Sequence, residues 1–200
     1  MVQMPPFLPW RHLAPLLALL SAGCSTVPAI QPVGHLDLPR FMGDWYVIAA
    51  VPAAQEANAF NAVESYRLRP GTTDVVEVTY TFREGGFDGK LVTLRPVGFV
   101  SGASAAAWGM KFWWWQGPLR LEYLVAHLDA DYTETIIARS ARDYVWIMAR
   151  TPTLPKGDLE RLSGLVKALG YDTARLRTFP QRWGTPPDLT PAERGAGRPE

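Results

Sequence analysis

Val75-Val76-Glu77-Val78-Thr79-Tyr80-Thr81-Phe82 alternates in side-chain character from Val76 onward. Val76, Val78, Tyr80 and Phe82 fall on one face, and Glu77, Thr79 and Thr81 fall on the other. Successive side chains of a strand point to opposite sides, so this period of two predicts a strand with one buried face. Its β-branched and aromatic residues suit a pleated, half-buried surface.

Similar segments flank it, separated by turn punctuation. Upstream, residues 45–51 form an apolar run after Gly43, and residues 62–68 precede Pro70-Gly71. Downstream, Glu84-Gly85-Gly86-Phe87-Asp88-Gly89 reads as a turn and residues 90–100 as the next strand. Residues 108–115 follow, closed by Gly117-Pro118. Residues 119–128 alternate again, with Leu121, Tyr123, Val125 and His127 opposite Arg120 and Glu122. Residues 133–139 and 144–151 complete a set of about eight. Short strands at this spacing predict a sandwich or a barrel. Eight is the number at which a closed barrel can hold one small ligand.

One segment has helical spacing. Leu159, Leu162, Val166 and Leu169 make a single apolar stripe, with Pro155 before the start and Gly170 at the stop. The preceding strand is apolar on both faces, with Tyr144, Trp146 and Met148 on one and Val145, Ile147 and Ala149 on the other. Such a strand is covered on both sides. The helix is therefore expected against the outer wall.

The ends of the chain read differently. Arg11 and His12 precede an apolar stretch of about ten residues that ends in Ser21-Ala22-Gly23-Cys24, which is the form of a secretory signal. No apolar run reaches the ~18 residues of a spanning helix. Leu20-Ser21-Ala22-Gly23-Cys24 resembles a bacterial lipobox, although Ser21 stands where Leu is more usual. That resemblance implies cleavage after residue 23 and acylation of Cys24, the single cysteine of the chain. A membrane anchor of more than one acyl chain is implied, because one chain binds only marginally. Ser25 in place of Asp implies sorting to the outer membrane, on its periplasmic side. Plain cleavage near Ala22, with an idle cysteine, is the alternative. Residues 24–36 are Pro-rich and aperiodic and read as a lipidated tether, while residues 184–200 read as a disordered tail. The domain is then residues 37–183. Without a second cysteine, its stability must come from a hydrophobic core.

Gly43-Asp44-Trp45-Tyr46 resembles the Gly-x-Trp-Tyr signature of the lipocalin family. Residues 128–132, Leu-Asp-Ala-Asp-Tyr, resemble that family's second motif, with Ala130 replacing the usual Thr. Arg150 resembles the third, and residues 142–152 are similar to bacterial outer-membrane lipocalins. The resemblance implies an eight-stranded antiparallel up-and-down β-barrel with one C-terminal helix packed outside. Gly43, Trp45, Asp131, Tyr132 and Arg150 become fold residues. Trp45 is expected to plug the closed end, with the Arg150 guanidinium stacked on the indole and holding backbone carbonyls.

A plugged barrel can enclose something apolar at its open mouth. Candidate lining residues are Val76, Val78, Tyr80, Tyr123, Val125, Tyr144, Trp146 and Met148, which could equally pack on one another as core. The resemblance implies a fatty acid or lysophospholipid as partner. Arg95, Lys111 and Arg139 are candidate partners for an anionic head group, or solvated charges. Phe112-Trp113-Trp114-Trp115 sends two rings to each face, and an exposed pair would mark a membrane contact or a homodimer surface.

Other classes find less support. A net charge of +1 offers no nucleic-acid footprint. An enzyme would need a nucleophile or a ligand cluster. Only His35 and His127 remain after residue 23, no Gly-x-Ser-x-Gly elbow occurs, and metal spacing is absent. Residues 85–90 fall one residue short of a phosphate loop, and Leu91 replaces the required hydroxyl. No catalytic residue, metal or cofactor is expected. A structural envelope protein with a filled barrel is the third class.

Overall fold

The computed structural model describes residues 28–113 and 117–183. Its strands are β1 (Gly43–Val51), β2 (Ala59–Leu68), β3 (Val75–Glu84), β4 (Leu91–Leu94), β5 (Val97–Ser101), β6 (Ala107–Lys111), β7 (Leu121–Leu128), β8 (Glu134–Ala138), β9 (Val145–Ala149) and β10 (Arg177–Thr178). Helix α1 (Leu38–Phe41) precedes them, and α2 (Lys156–Ala168) follows β9. Neighbours pair antiparallel, and β9 returns to β1 with Val51 opposite Val145 and Tyr46 opposite Ala149. The sheet is closed.

β4 and β5 both lie along β3, opposite residues 80–83 and 75–77 respectively. They are one strand interrupted at Arg95-Pro96, because Pro96 has no N–H for the ladder. Its carbonyl instead accepts from the Val78 N–H at 3.0 Å. Eight strands therefore form the barrel wall, as the turn spacing predicts. β3 buries Val76, Val78, Tyr80 and Phe82 inside.

α2 docks on the outer wall. Leu162 and Val166 are fully buried against Val145, Ile147, Ile136 and Ala138, with Leu159 and Leu169 at the margins. The two apolar faces of β9 are thus explained: Trp146 and Met148 face the interior, and Val145 and Ile147 face the helix.

Three features depart from the sequence expectations. Residues 30–36, expected within a tether, lie on the barrel. Ile30 and Leu36 are buried, and the Val33 and Leu36 N–H groups donate to Val125 O at 2.9 Å and Ser104 O at 2.8 Å. Two anchored apolar residues among prolines show no period, so pattern could not reveal them. His127 was expected on the face of Tyr123 and Val125. The β7–β8 register shifts between Val125 and His127, and Leu128 packs on the interior instead. One inserted residue reverses the alternation that follows it. Finally, residues 177–183 close a gap beside β1. β10 pairs with Ala49 and Ala50, and the Gln181 amide donates to Val47 O at 2.8 Å and Ala62 O at 3.0 Å. The expected signal segment, Cys24 and the tail at 184–200 lie outside the described residues.

Candidate functional site

The barrel has a floor and a mouth. Asp37 caps α1 by accepting the Arg40 N–H at 3.1 Å. This turn carries Phe41 under the barrel, 5.0 Å between ring centroids from Trp45. Trp45 is wholly buried and donates its indole N–H to Phe41 O at 2.9 Å. Arg150 lies over the indole, 3.9 Å from the guanidinium carbon to the ring centroid. It donates to Tyr132 O at 3.3 Å, Asp44 O at 2.9 Å, and Arg40 O and Phe41 O at 3.0 Å each. One planar cation thus joins α1, β1 and the β7–β8 turn. Of the remaining strand-joining turns, those holding residues 52–58, 85–90, 112–113 with 117–120, and 139–144 lie at the opposite end, the mouth.

The two motif residues of the β7–β8 turn act unequally. The Tyr132 hydroxyl accepts the Asp37 N–H at 2.9 Å, and Arg40 stacks 4.2 Å from the ring. Asp131 is exposed, and its N–H donates to the Asp129 carboxylate at 3.2 Å. Asp129 also accepts from the N–H groups of Thr133 and Glu134, each at 2.7 Å. Those bonds hold its carboxyl below the usual carboxylate range despite partial burial. Asp129 organises the turn.

Above the floor the interior is aromatic. Trp108 stacks on Tyr123 at 5.4 Å and meets Tyr66 and Phe41 edge-on at 5.6 and 5.7 Å. Tyr80 lies 5.1 Å from Trp146. Of the predicted lining residues, Val76, Val78, Tyr80, Tyr123, Val125, Trp146 and Met148 are all inside and at most 3% exposed. Tyr144 is half-buried near the mouth, packed on Trp146 at 5.5 Å. Val92 and Phe112 are likewise half-buried and packed on the interior cluster. Phe112 turns inward, whereas Trp113 is 42% exposed; Trp114 and Trp115 lie outside the described residues.

Two carboxyls within this lining escaped the sequence reading. Glu64 on β2 is 1% exposed and accepts from both the Tyr66 and Tyr123 hydroxyls, the latter at 3.1 Å. Burial raises its pKa to about 8 against those hydrogen bonds. The alternation of Ala62, Glu64, Tyr66 and Leu68 did carry the signal: an acid at an inward position. Glu56 belongs to the β1–β2 loop, where the Trp146 indole donates to it at 3.4 Å. Desolvation raises its pKa to about 7. Opposite Glu64 in register stands Tyr80, whose hydroxyl is buried without a hydrogen-bond partner among the described residues.

The candidate head-group cations are dispersed. Arg95 is exposed at the strand interruption, and Lys111 is half-buried between the inward-facing Met110 and Phe112. Only Arg139 combines a mouth position with an aromatic neighbour, 5.6 Å from the Tyr144 ring, and it pairs with Asp143 at 2.7 Å.

A family model described as a lipocalin-like domain matches residues 36–181, from the floor through the wall to β10. The chain belongs to the lipocalin family. This lipocalin is 28% identical over 167 residues to the outer membrane lipoprotein Blc of Vibrio cholerae, covering 80% of this chain and 92% of that protein. It is 27% identical over 176 residues to Blc of Escherichia coli K12, covering 82% and 94%. With temperature-induced lipocalin-1 of Arabidopsis thaliana it shares 29% over 170 residues, covering 82% and 88%. Among solved structures, insecticyanin from the tobacco hornworm Manduca sexta superposes with a TM-score of 0.59 at 17% identity, covering 83% of this lipocalin and 87% of that chain. Lobster apocrustacyanin A1 gives 0.57 at 12%, covering 84% and 97%. Likenesses at these identities concern the fold alone.

Proposed function

We propose that the protein is a lipid-anchored lipocalin on the periplasmic side of the outer membrane, binding small apolar ligands for cell-envelope maintenance. Fatty acids and lysophospholipids are the proposed cargo. The observation that carries this reading is the closed barrel with a plugged floor and an aromatic lining that becomes half-buried at Val92, Phe112 and Tyr144. The relatives called outer membrane lipoproteins, together with the lipobox-like segment ending at Cys24, support the compartment.

An interior carboxyl adds an orientation. An anionic head beside Glu64, which pairs in register with the floor residue Trp45, would raise the cost of ionising either group in a desolvated space. The acyl chain therefore enters first. The head stays at the mouth, where Arg139 lies beside Tyr144.

Native mass spectrometry of protein lacking residues 1–24 tests the proposal. Bound fatty acid or lysophospholipid is expected, with displacement of an apolar fluorescent probe in solution. A second reading, a barrel filled by its own side chains, is favoured by the close packing of Trp108, Tyr123 and Tyr66. Failure to bind every such lipid would select it.

A further inference from the structure

The stretch that leads into the barrel begins at the mouth. The Pro28 carbonyl accepts from the Arg142 guanidinium at 2.5 Å, and the Ile30 N–H donates to the Ser140 hydroxyl at 3.3 Å. Ser140 and Arg142 both belong to the β8–β9 loop, whose far neighbour Val145 pairs with Val51, at the end of β1 away from the floor. Glu122, at the mouth end of β7, accepts the Ser140 N–H at 2.5 Å. Arg142 further donates to Ser140 O at 2.6 Å and to Leu169 O, just past α2, at 2.9 Å. These bonds clamp the exit to the rim. From there the chain descends along the wall through Val33, bonded to Val125, to Leu36, bonded to Ser104 in the floor-side β5–β6 turn.

Cys24 precedes Pro28 by four residues, which span at most about 14 Å when fully extended. The ten residues of β2, at ~3.3 Å each and tilted as barrel strands are, make a wall roughly 25 Å tall. An acyl group on Cys24 cannot reach round to the floor. The same end carries three exposed large apolar side chains: Leu91 at 41%, Trp113 at 42% and Leu119 at 61%. Leu91 opens β4 at the mouth, and the other two belong to the connection between β6 and β7.

The geometry points to a mouth-down orientation: the lipid anchor holds the open end of the barrel against the bilayer, and Leu91, Trp113 and Leu119 dip into the lipid interface. This rests on the acylation of Cys24 in the function proposed above. The occupant of the apolar rim is the lipid surface itself, since an anchored chain with so short a reach keeps that rim at the headgroup level. A Trp at the interface and Leu below it are the side chains such a boundary favours. Cargo would then pass between the leaflet and the barrel without crossing water.

Full-length lipidated protein on phosphatidylethanolamine–phosphatidylglycerol vesicles tests this. The acylated Cys24 leaves no free thiol, so Leu119→Cys at the mouth and Ala103→Cys at the floor-side turn can each be labelled singly with a fluorophore; both sites are exposed. Lipids brominated along the acyl chain should quench the Leu119→Cys label at least threefold more than the Ala103→Cys label. Equal quenching, or stronger quenching at position 103, with the protein still sedimenting on vesicles, would overturn the orientation and leave the anchor intact. Protein that remains in the supernatant would overturn the anchor, and the orientation with it.

Discussion

The Arg150 guanidinium lies 3.9 Å above the Trp45 ring while donating to four backbone carbonyls from three different segments. Stacking and hydrogen bonding thereby use different parts of one planar group: the face meets the indole and the edges meet oxygen. Lysine could supply charge but not that geometry.

Trp45→Ala should therefore destabilise the protein by about 3–5 kcal/mol, the cost of emptying a fully buried indole site. Arg150→Lys should cost about 1–3 kcal/mol, because several carbonyls lose a charged donor at once. Chemical denaturation measures both. A loss below 1 kcal/mol for Trp45→Ala would show that the floor collapses without it, contrary to the packing described.

Gly43 has φ +96°, and a Cβ built there would meet Arg150 Nη1 at 3.3 Å. Gly43→Ala combines left-handed strain with pressure on that guanidinium, so a loss of about 1–3 kcal/mol is expected. If Gly43→Ala were neutral while Gly43→Val were not, steric contact rather than backbone conformation would be the cause.

Glu64 and Glu56 have folded-state pKa values raised to about 8 and about 7 from 4.5. A raised carboxyl binds more protons folded than unfolded, so its contribution is complete below pH 4.5 and is lost as pH rises through the folded value. Each contributes a decline approaching ~1.4 kcal/mol per pH unit within its own window. His127, whose pKa burial lowers from 6.5, contributes in the opposite sense, below pH 6.5. Between pH 7 and 8 Glu64 dominates. Unfolding free energy should fall across that interval, and Glu64→Gln should flatten the fall; an unchanged slope in the variant would assign it to another group.

The Tyr80 hydroxyl has no partner among the described residues, so Tyr80→Phe removes a desolvated polar atom without breaking a bond. Stability should stay within about 0.5 kcal/mol of the parent or rise. A loss above 1 kcal/mol in denaturant titration would reveal a partner for that oxygen in solution.

Cys24→Ser should release the protein from the membrane fraction into the soluble periplasmic extract. Continued sedimentation with membranes would mean that something other than the thiol holds it.

Much of this architecture was legible because it repeats. Alternation along β3 and the first part of β7, the double apolar face of β9 and the stripe on α2 are local patterns of strand and helix. Trp45 and Arg150 could be linked through family resemblance, since 105 positions of chain separate them. Glu64 was visible as an acid among Ala62, Tyr66 and Leu68, yet the pattern does not tell a buried carboxyl from an edge charge. Its two tyrosine partners come from β2 itself and from β7, neighbours only after closure.

What the sequence determined by itself is the eight wall strands, the outer helix and the apolar faces of both, because hydrophobic period is a property of consecutive residues. Tertiary structure alone decided the rest. A one-residue shift in β7 turned His127 out of its expected face, the β1–β2 loop carried Glu56 into the aromatic interior, and Arg142 tied Pro28 to the mouth. Each depends on a hydrogen bond, a register or a burial shared by segments far apart in the chain, and no local pattern encodes such a meeting.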